Sequence, residues 1–307
     1  MPEELSAHTV GTVFADAVDA AQAGIVAVEG RHRLPATGTV WDVDESGAVI
    51  VTASHVVERE DNISIRLGDG KVIPATILGR DLSRDLAVLR AETTEPRPAT
   101  ISGDSARVGT LVMAVGRPFA TEPQASLGTV VFVGSIRFRS YRTGCFIHAD
   151  PALYPGFSGG PLINSVGDVL GINTSGIRQA GSFTIPSDQV SRVVSDIVEL
   201  GYVRTAWIGI TVKRADLPES ARSDFPNQQS AVIISGLEPG APAAEAGLYA
   251  GDILVTVDDQ PLEDVTDLKQ ILCDEHIGDP ISVVAWRNDT RLEVSVTPVA
   301  RPEQPCG

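Results

Sequence analysis

Pro155-Gly156-Phe157-Ser158-Gly159-Gly160-Pro161-Leu162 sets one serine among three glycines, with a proline on each side. A serine hydroxyl becomes a useful nucleophile only where the backbone bends sharply and directs amide N–H groups at a substrate carbonyl oxygen. Glycine permits such a bend because it tolerates positive φ and the close approach of another backbone. The stretch alone is equally compatible with a Gly/Pro turn between two strands, so the rest of the chain must decide between the two.

The composition limits the classes of protein that the chain can belong to. Its 307 residues predict two or three domains, and a hydrophobic content of 43% is ordinary for globular cores. A net charge of −16 argues against nucleic acid as a partner, because binding to a phosphate backbone needs clustered Lys and Arg. Three widely spaced cysteines, Cys145, Cys273 and Cys306, match neither a disulfide framework nor a paired metal-ligand motif and fit a reducing compartment.

The N-terminus, Met1-Pro-Glu-Glu-Leu5, is acidic where a secretory signal is basic, and no apolar segment follows it. No apolar run approaches the ~18 residues needed to span a bilayer. The sequence therefore predicts a cytoplasmic protein without a membrane span. Export or membrane anchoring remains open if the natural chain starts earlier.

Residues 1–22 are predicted to form an N-terminal helical segment. Apolar residues recur at helical spacing from Val10 to Ala21, with Asp16 and Asp19 off that stripe. The stripe either packs on the first domain or forms a contact between copies of the chain.

Short runs rich in Val, Ile and Thr follow, separated by turn residues. They predict an antiparallel barrel or sandwich over residues 23–100 and a second set of strands over residues 101–203. The second set ends in a helix over Ser187–Leu200 that Gly201 terminates. The predicted strands are Gly24–Val28, Thr39–Val43, Ala48–Thr52, Ile63–Leu67, Val72–Leu78, Leu111–Val115, Gly128–Val133, Cys145–His148, Pro161–Asn164 and Val169–Asn173.

Two further residues are candidates for chemistry. His55, in Thr52-Ala53-Ser54-His55-Val56-Val57, directly follows an apolar strand, although an isolated histidine is more often a hydrogen-bonded core residue. Asp85 leads the apolar run Leu86-Ala-Val-Leu89, and a buried carboxylate there requires a partner, for which a histidine is suitable. Asp81 is the competing acid, but it leads no apolar run and is predicted to lie in solvent.

His55, Asp85 and Ser158, in this order and within these motifs, resemble the HtrA/DegP-like serine proteases, a branch of the chymotrypsin-fold peptidases. Further matches in family order are Ala114-Val-Gly-Arg-Pro-Phe119, Gly171-Ile-Asn-Thr174 and Phe183-Thr-Ile-Pro-Ser187. The resemblance covers nearly the whole chain. It implies a mainly β protein in which two antiparallel six-stranded β-barrels precede a small α+β PDZ domain.

The resemblance also implies a mechanism without metal or organic cofactor. Ser158 attacks the scissile carbonyl, His55 takes and returns the proton, and Asp85 fixes the imidazole tautomer. The N–H groups of Gly156 and Ser158 form the oxyanion hole. Phe157 stands where the family commonly has Asn, a departure that should leave catalysis possible because the backbone supplies the donor. His148 is expected to be an ordinary strand residue, since one base suffices.

The primary specificity pocket is expected to be apolar. Ala152 occupies the sixth position before Ser158, where trypsin-like enzymes carry an aspartate, and Leu153 follows it. Asp150 is the nearby acid and should point away from the pocket. The opposite wall is expected from Asn173, Thr174 and Ile177. These residues predict cleavage after Val, Ala, Leu or Ile.

Residues 204–300 resemble the PDZ domain that follows the protease in the same family, and residues 301–307 form a tail. In a PDZ domain a peptide adds as an extra strand and loop amides receive its terminal carboxylate. The predicted peptide-binding residues are Trp207, Ile208, Gly209, Ile210, Val265 and Leu268. A small α+β domain without a ligand is the alternative, and the acids around Asp264 and Asp267 are predicted to form only a solvated face.

The sequence thus predicts an ATP-independent serine endopeptidase that cleaves unfolded or misfolded proteins and binds peptides through its PDZ domain. A homotrimer is the assembly that the family resemblance suggests. The alternative is a catalytically silent peptide-binding or holdase protein, in which Phe157 or an unassembled oxyanion loop silences the serine. Labelling of Ser158 by a fluorophosphonate separates the two.

Overall fold

Helix α1 (Ala7–Ala21) is the first element of the computed structural model, which describes residues 7–119, 122–138, 141–176, 183–272 and 276–302. Its apolar stripe packs on the unit that follows: Ala17 and Ala21 are buried beside Ile25, Met113 and Val169. The chain divides into two compact units, and the second consists mainly of the residues from Arg204 onward. Ile177, Cys273 and Cys306 lie outside the described residues.

Six strands close into an antiparallel barrel in the order β1-β2-β3-β6-β5-β4. Their branched apolar side chains fill the barrel, where Val28, Ile50, Ile65 and Leu89 are fully buried. The strands are β1 (Ile25–Glu29), β2 (Ala36–Asp44), β3 (Gly47–Ala53), β4 (Ile63–Arg66), β5 (Val72–Asp81) and β6 (Leu86–Ala91).

A second closed barrel has the order β10-β11-β12-β9-β8-β7. Val112, Ala114, Ile147 and Leu162 lie in its core. The prediction of two antiparallel six-stranded barrels is therefore confirmed. The strands are β7 (Leu111–Gly116), β8 (Gln124–Phe138), β9 (Tyr141–Ala149), β10 (Pro161–Ile163), β11 (Val169–Thr174) and β12 (Phe183–Pro186).

Helix α2 (Ser187–Leu200) holds the two barrels together. Val190, Val193 and Ile197 are buried in one cluster with Val51 of the first barrel and Ile172 of the second. Burial of side chains of this size contributes roughly 1.5–3 kcal/mol each. The helix ends at Gly201, whose φ of 83° is left-handed and whose N–H donates to the Ile197 carbonyl, as the sequence predicts.

The second unit is a small α+β domain built on a sheet in the order β14-β15-β16-β18-β19, with β17 paired to β16 and β13 paired to β20. Asp264 caps α4 by accepting from the Thr266 N–H, and Asp267 accepts from the Asp264 N–H, so these two acids are not merely a solvated face. The elements are β13 (Ala206–Trp207), β14 (Ile210–Asp216), β15 (Ser230–Leu237), α3 (Pro242–Glu245), β16 (Ile253–Val257), β17 (Gln260–Pro261), α4 (Val265–Ile271), β18 (Ile281–Arg287), β19 (Thr290–Val296) and β20 (Val299–Ala300).

Candidate active site

His55 and Asp85 are brought together by the pairing of β3 with β6. Ala53, the last residue of β3, lies opposite Leu86, the first residue of β6. The chain that continues from β3 to His55 therefore lies beside Asp85, which directly precedes β6. His55 Nδ1 lies 2.6 Å from Asp85 Oδ2, and the His55 backbone N–H donates to Asp85 Oδ1 over 2.8 Å. Because the carboxylate accepts at Nδ1, the proton of the neutral ring is held there and Nε2 is left as the basic nitrogen.

Asp85 sits in a left-handed conformation, with φ of 57°, at the end of a turn that Asp81 organises. The Asp81 carboxylate accepts from the N–H and hydroxyl of Ser83 and forms an ion pair with Arg84 over 2.7 Å. Arg84 also donates to Gln189 of α2. The prediction that Asp81 lies in solvent is therefore wrong: it is 5% exposed, because Arg84, 7% exposed, supplies a buried partner.

Ser158 lies on a loop whose backbone is tied to both barrels. The Gly159 N–H donates to the Asn173 carbonyl over 2.8 Å, and the Thr37 hydroxyl donates to the Gly156 carbonyl over 2.7 Å. Gly156 and Gly159 have φ of 92° and 88°. A Cβ would stand 2.4 Å from Pro118 Cβ at Gly156 and 2.1 Å from the Thr37 carbonyl at Gly159, so both positions require glycine.

The backbone N–H groups of Gly156 and Ser158 donate to no protein acceptor within the described residues. Amides without a protein partner beside a serine hydroxyl are suited to an anionic oxygen. The carbonyl of Ser158 accepts from the Thr37 N–H over 3.3 Å, which fixes the peptide on the other side of the serine.

Phe157 points into the second barrel and is fully buried. Its ring meets Tyr154 edge to face with centroids 5.5 Å apart, and a Cβ at Gly116 would stand 2.6 Å from it. The side chain therefore serves as core, and only its backbone borders Ser158. His148 is likewise a strand residue, with its ring 5.3 Å from that of Phe183.

The end of β11 contacts both the His55–Asp85 pair and Ser158, and neither contact was predicted from the sequence. The Thr174 hydroxyl donates to Asp85 Oδ2, although the sequence assigned Thr174 to the specificity pocket. Ser175 Oγ lies 3.0 Å from Ser158 Oγ, and the Ser175 N–H donates to the same oxygen over 3.3 Å. Among the described residues, no hydrogen bond joins Ser158 to the His55 ring. The motif Gly171-Ile-Asn-Thr174 marks this strand, but no residue pattern signals the Ser175 contact.

The other residues predicted for the specificity pocket are placed differently from one another. Ala152 is exposed and Leu153 half-buried, whereas Asn173 is buried and its Oδ1 accepts from the Thr184 hydroxyl over 2.7 Å. Ile177 falls outside the described part of the chain. The Asp150 carboxylate accepts hydrogen bonds from the N–H and hydroxyl of Thr129.

The second unit carries a groove of about 650 Å³ between β14 and α4. The carbonyls of Ile208 and Gly209 accept from Ala243 and Glu238, whereas the N–H groups of Ile208 and Gly209 have no acceptor within the described ranges. Gly209 has a φ of 78° and would bring a Cβ to 2.1 Å from Ala241 Cβ. The groove is lined by all six residues predicted to bind peptide, Trp207, Ile208, Gly209, Ile210, Val265 and Leu268, and also by Glu238 and Arg301.

The comparisons with known proteins agree with this arrangement. A family model described as a trypsin-like peptidase domain matches residues 36–172, and one described as a PDZ domain matches residues 206–297. The fold and the site thus define the class of trypsin-like serine peptidases that carry a PDZ domain.

The chain belongs to the HtrA family of serine proteases, as predicted. The serine protease Do-like HtrA of Lactobacillus helveticus is 31% identical over 277 residues, which cover 85% of this chain and 67% of that protein. A probable periplasmic serine endoprotease DegP-like of Brucella suis is 32% identical and the match covers 89% of this chain. The present chain spans 54% of that relative's length.

Solved structures show the same fold. An HtrA-type protease AlgW with tripeptide superposes with a TM-score of 0.68 at 29% identity, covering 95% of this chain and 98% of that one. A serine endoprotease from Yersinia pestis gives a TM-score of 0.65 at 26% identity, covering 94% of this chain and 98% of that one.

The names of the relatives contradict the predicted cytoplasmic location. The Brucella suis relative is named periplasmic, and so is DegQ of Escherichia coli, which is 30% identical over 83% of this chain and matched over 57% of its own length. The prediction of a cytoplasmic location, which rested on the acidic N-terminal residues, is therefore wrong. None of the helices in the described ranges is long and apolar enough to cross a membrane.

Proposed function

We propose that the chain is an ATP-independent serine endopeptidase in which Ser158 attacks the peptide carbonyl. The observation that carries this proposal is the hydrogen bond between His55 Nδ1 and Asp85 Oδ2, 2.6 Å long, in the same unit as the loop that carries Ser158. His55 takes the Ser158 proton at Nε2 as the Oγ–carbon bond forms. It returns that proton to the leaving amine as the C–N bond breaks, and water then releases the acyl group by the same route.

The tetrahedral intermediate carries its charge on the former carbonyl oxygen. The N–H groups of Gly156 and Ser158 are the donors for it, and each such donor is worth roughly 3–4 kcal/mol of barrier in enzymes of this kind. No metal or organic cofactor takes part in these steps.

The substrates are unfolded or misfolded proteins cut after small or medium aliphatic residues. Ala152 and Leu153 supply apolar walls, and Asp150 is held by Thr129. A Lys or Arg side chain entering this pocket would leave its charge without a partner, which is unfavourable by several kcal/mol.

The second unit binds extended peptides along β14, with the terminal carboxylate on the N–H groups of Ile208 and Gly209. Support comes from the groove between β14 and α4, and from the solved structures of the HtrA-type protease AlgW with a tripeptide and with a decapeptide. The family supports a homotrimer as the working assembly. The names of the relatives support an exported, periplasmic location.

A catalytically silent peptide-binding protein is the second candidate. The hydrogen bonds between Ser175 and Ser158, in place of one between Ser158 and His55, favour it.

A fluorophosphonate decides between the two, because it modifies only an activated serine. The full chain should be labelled at Ser158 and should cleave casein, whereas Ser158→Ala and His55→Ala should each lose both activities with unchanged circular dichroism. The double variant should be little worse than either single one, because triad members act as a unit. Wild-type turnover in His55→Ala would mean that the base is another residue, and absence of labelling in the unmodified chain would support the binder.

A further inference from the structure

Within the described part of the chain, the hydrogen bonds of the Ser158 hydroxyl involve one residue, Ser175. The two hydroxyl oxygens are 3.0 Å apart, and the Ser175 N–H reaches Ser158 Oγ over 3.3 Å. Ser158 is 7% exposed, whereas Ser175 is exposed, so the contact lies at the border between the buried serine and solvent.

The position of Ser175 is fixed by its neighbours along the chain. Asn173 exchanges backbone hydrogen bonds with Gly159 and Gly160 over 2.8 and 2.9 Å, and the Thr174 hydroxyl donates to Asp85. The backbone of Gly176 lies against the catalytic pair, because a Cβ there would stand 2.4 Å from both His55 Nδ1 and Asp85 Oδ2. Ser175 therefore lies between Thr174 and Gly176, and both of these residues lie against the His55–Asp85 pair.

Both possible directions of the hydroxyl contact oppose attack by Ser158. If Ser158 donates to Ser175, its proton points away from His55, the base that must take it. If Ser175 donates to Ser158, its hydroxyl occupies an oxygen lone pair, as the Ser175 N–H does in either case. The nucleophile is thus restrained whichever oxygen carries the proton.

We propose that Ser175 is a positioning residue that holds the Ser158 hydroxyl away from His55 in the enzyme without substrate. Attack then requires the Ser158 side chain to exchange Ser175 for the His55 ring. No covalent bond changes in this step, only the hydrogen-bond partners. The inference rests on the proposed peptidase activity and deepens it, because it makes the Ser158–Ser175 contact a resting state of that site.

The test compares the rate of Ser158 labelling by a fluorophosphonate in the full chain and in three variants. Ser175→Ala should raise the second-order rate constant roughly threefold to tenfold, which corresponds to the loss of one net hydrogen bond. Ser175→Thr retains a hydroxyl and should bring the rate back towards that of the unmodified chain. Ser165→Ala removes an exposed hydroxyl from a turn of the same unit and is the matched control, with an unchanged rate.

Each outcome decides the inference. A merely structural role for Ser175 would lower the rate or leave it unchanged in Ser175→Ala, and either result overturns the proposal while leaving the peptidase intact. An equal rise in Ser175→Thr would also overturn it, since the hydroxyl would then not be responsible. Circular dichroism checks that each sample is folded. If the fluorophosphonate labels neither the unmodified chain nor any variant although all are folded, the peptidase proposal is wrong and this inference is wrong with it.

Discussion

Asp85 accepts from three groups at once: the His55 ring, the His55 backbone N–H and the Thr174 hydroxyl. A carboxylate can satisfy all three donors, whereas an amide presents an NH₂ group to at least one of them. The side chain therefore controls both the orientation and the tautomer of His55, beyond any effect of its charge.

Asp85→Asn should lower kcat for casein or peptide cleavage by roughly 10⁴-fold, because the wrong imidazole nitrogen would carry the proton. Thr174→Val is the matched comparison. It removes one donor from Asp85 but leaves the His55 tautomer in place, so its kcat should fall far less. Similar losses in the two variants, with melting temperatures equal to that of the unmodified chain, would contradict this division of roles.

Mass spectrometry of casein digests should show most cuts after Val, Ala, Leu or Ile. Ala152 and Leu153 offer no charge to a basic side chain, and Leu153 narrows the space for large aromatic rings. Asp150→Asn should leave the pattern unchanged, since its carboxylate accepts from Thr129. A majority of cuts after Lys or Arg that disappears in Asp150→Asn would show that this acid serves the pocket.

The placement of a single residue could be predicted from the sequence where its neighbours form an unusual local pattern. The glycines around Ser158 and the acid before the apolar strand at Leu86 are of this kind, and the structure places His55 and Asp85 in contact. Asp81 was misjudged because its burial depends on Arg84, whose side chain could equally have faced solvent. Ser175 was missed because its contact spans 17 positions and follows from how two loops meet.

The turn between β5 and β6 joins the segment that carries Asp85 to helix α2. Asp81 and Arg84 form its buried ion pair, and Arg84 continues to Gln189. A pair of this kind is weak evidence for stability as a whole, but the loss of one partner leaves the other charge buried.

Arg84→Met should therefore lower the free energy of unfolding by roughly 3–5 kcal/mol. Arg90→Met is the matched control, because Arg90 pairs with the partly exposed Asp44 and pairs at the surface contribute at most about 1 kcal/mol. Urea denaturation of both variants measures the difference. Equal midpoints would mean that Asp81 finds another partner or takes up a proton without penalty.

Element boundaries followed from sequence where turn residues flank an apolar run, as for α2, which matches the predicted span. Strand β12 was missed although its residues were noted, since four residues with a proline at the end carry too little periodicity. Strand β8 is longer than predicted, Gln124–Phe138 against Gly128–Val133, because pairing with a neighbour extends a strand beyond its apolar centre.

Each of the two units has its own core, and the groove residues belong to the second unit alone. Peptide binding can therefore be measured in the full chain with the nucleophile removed. The motif Trp207–Ile210 was readable from sequence, whereas the participation of Glu238 and Arg301 in the groove depends on how the ends of β15 and β20 fold back.

The Ser158→Ala variant should bind a peptide that ends in an apolar residue with a free carboxylate at least tenfold more tightly than it binds the amidated peptide. Amidation removes the charge-assisted hydrogen bonds between the terminal carboxylate and the Ile208 and Gly209 N–H groups. Fluorescence anisotropy of labelled peptides measures this ratio. Leu268→Ala, in α4, should weaken both peptides by similar factors. Equal affinity for the free and amidated peptides would remove the carboxylate from the recognition scheme.

The closed order of both barrels has a consequence for association through sheet edges. Extended polypeptides join other proteins at unpaired sheet edges, and a closed barrel has none to offer. Among the described residues, β14 and β19 are the two edge strands of the large sheet of the second unit. The edge strand β19 carries the charged residues Arg291 and Glu293. On β14, Lys213 and Arg214 would repel the same strand of another copy of the chain. These charges therefore disfavour edge-to-edge pairing between copies of the chain, while β14 borders the groove that we propose to bind peptide.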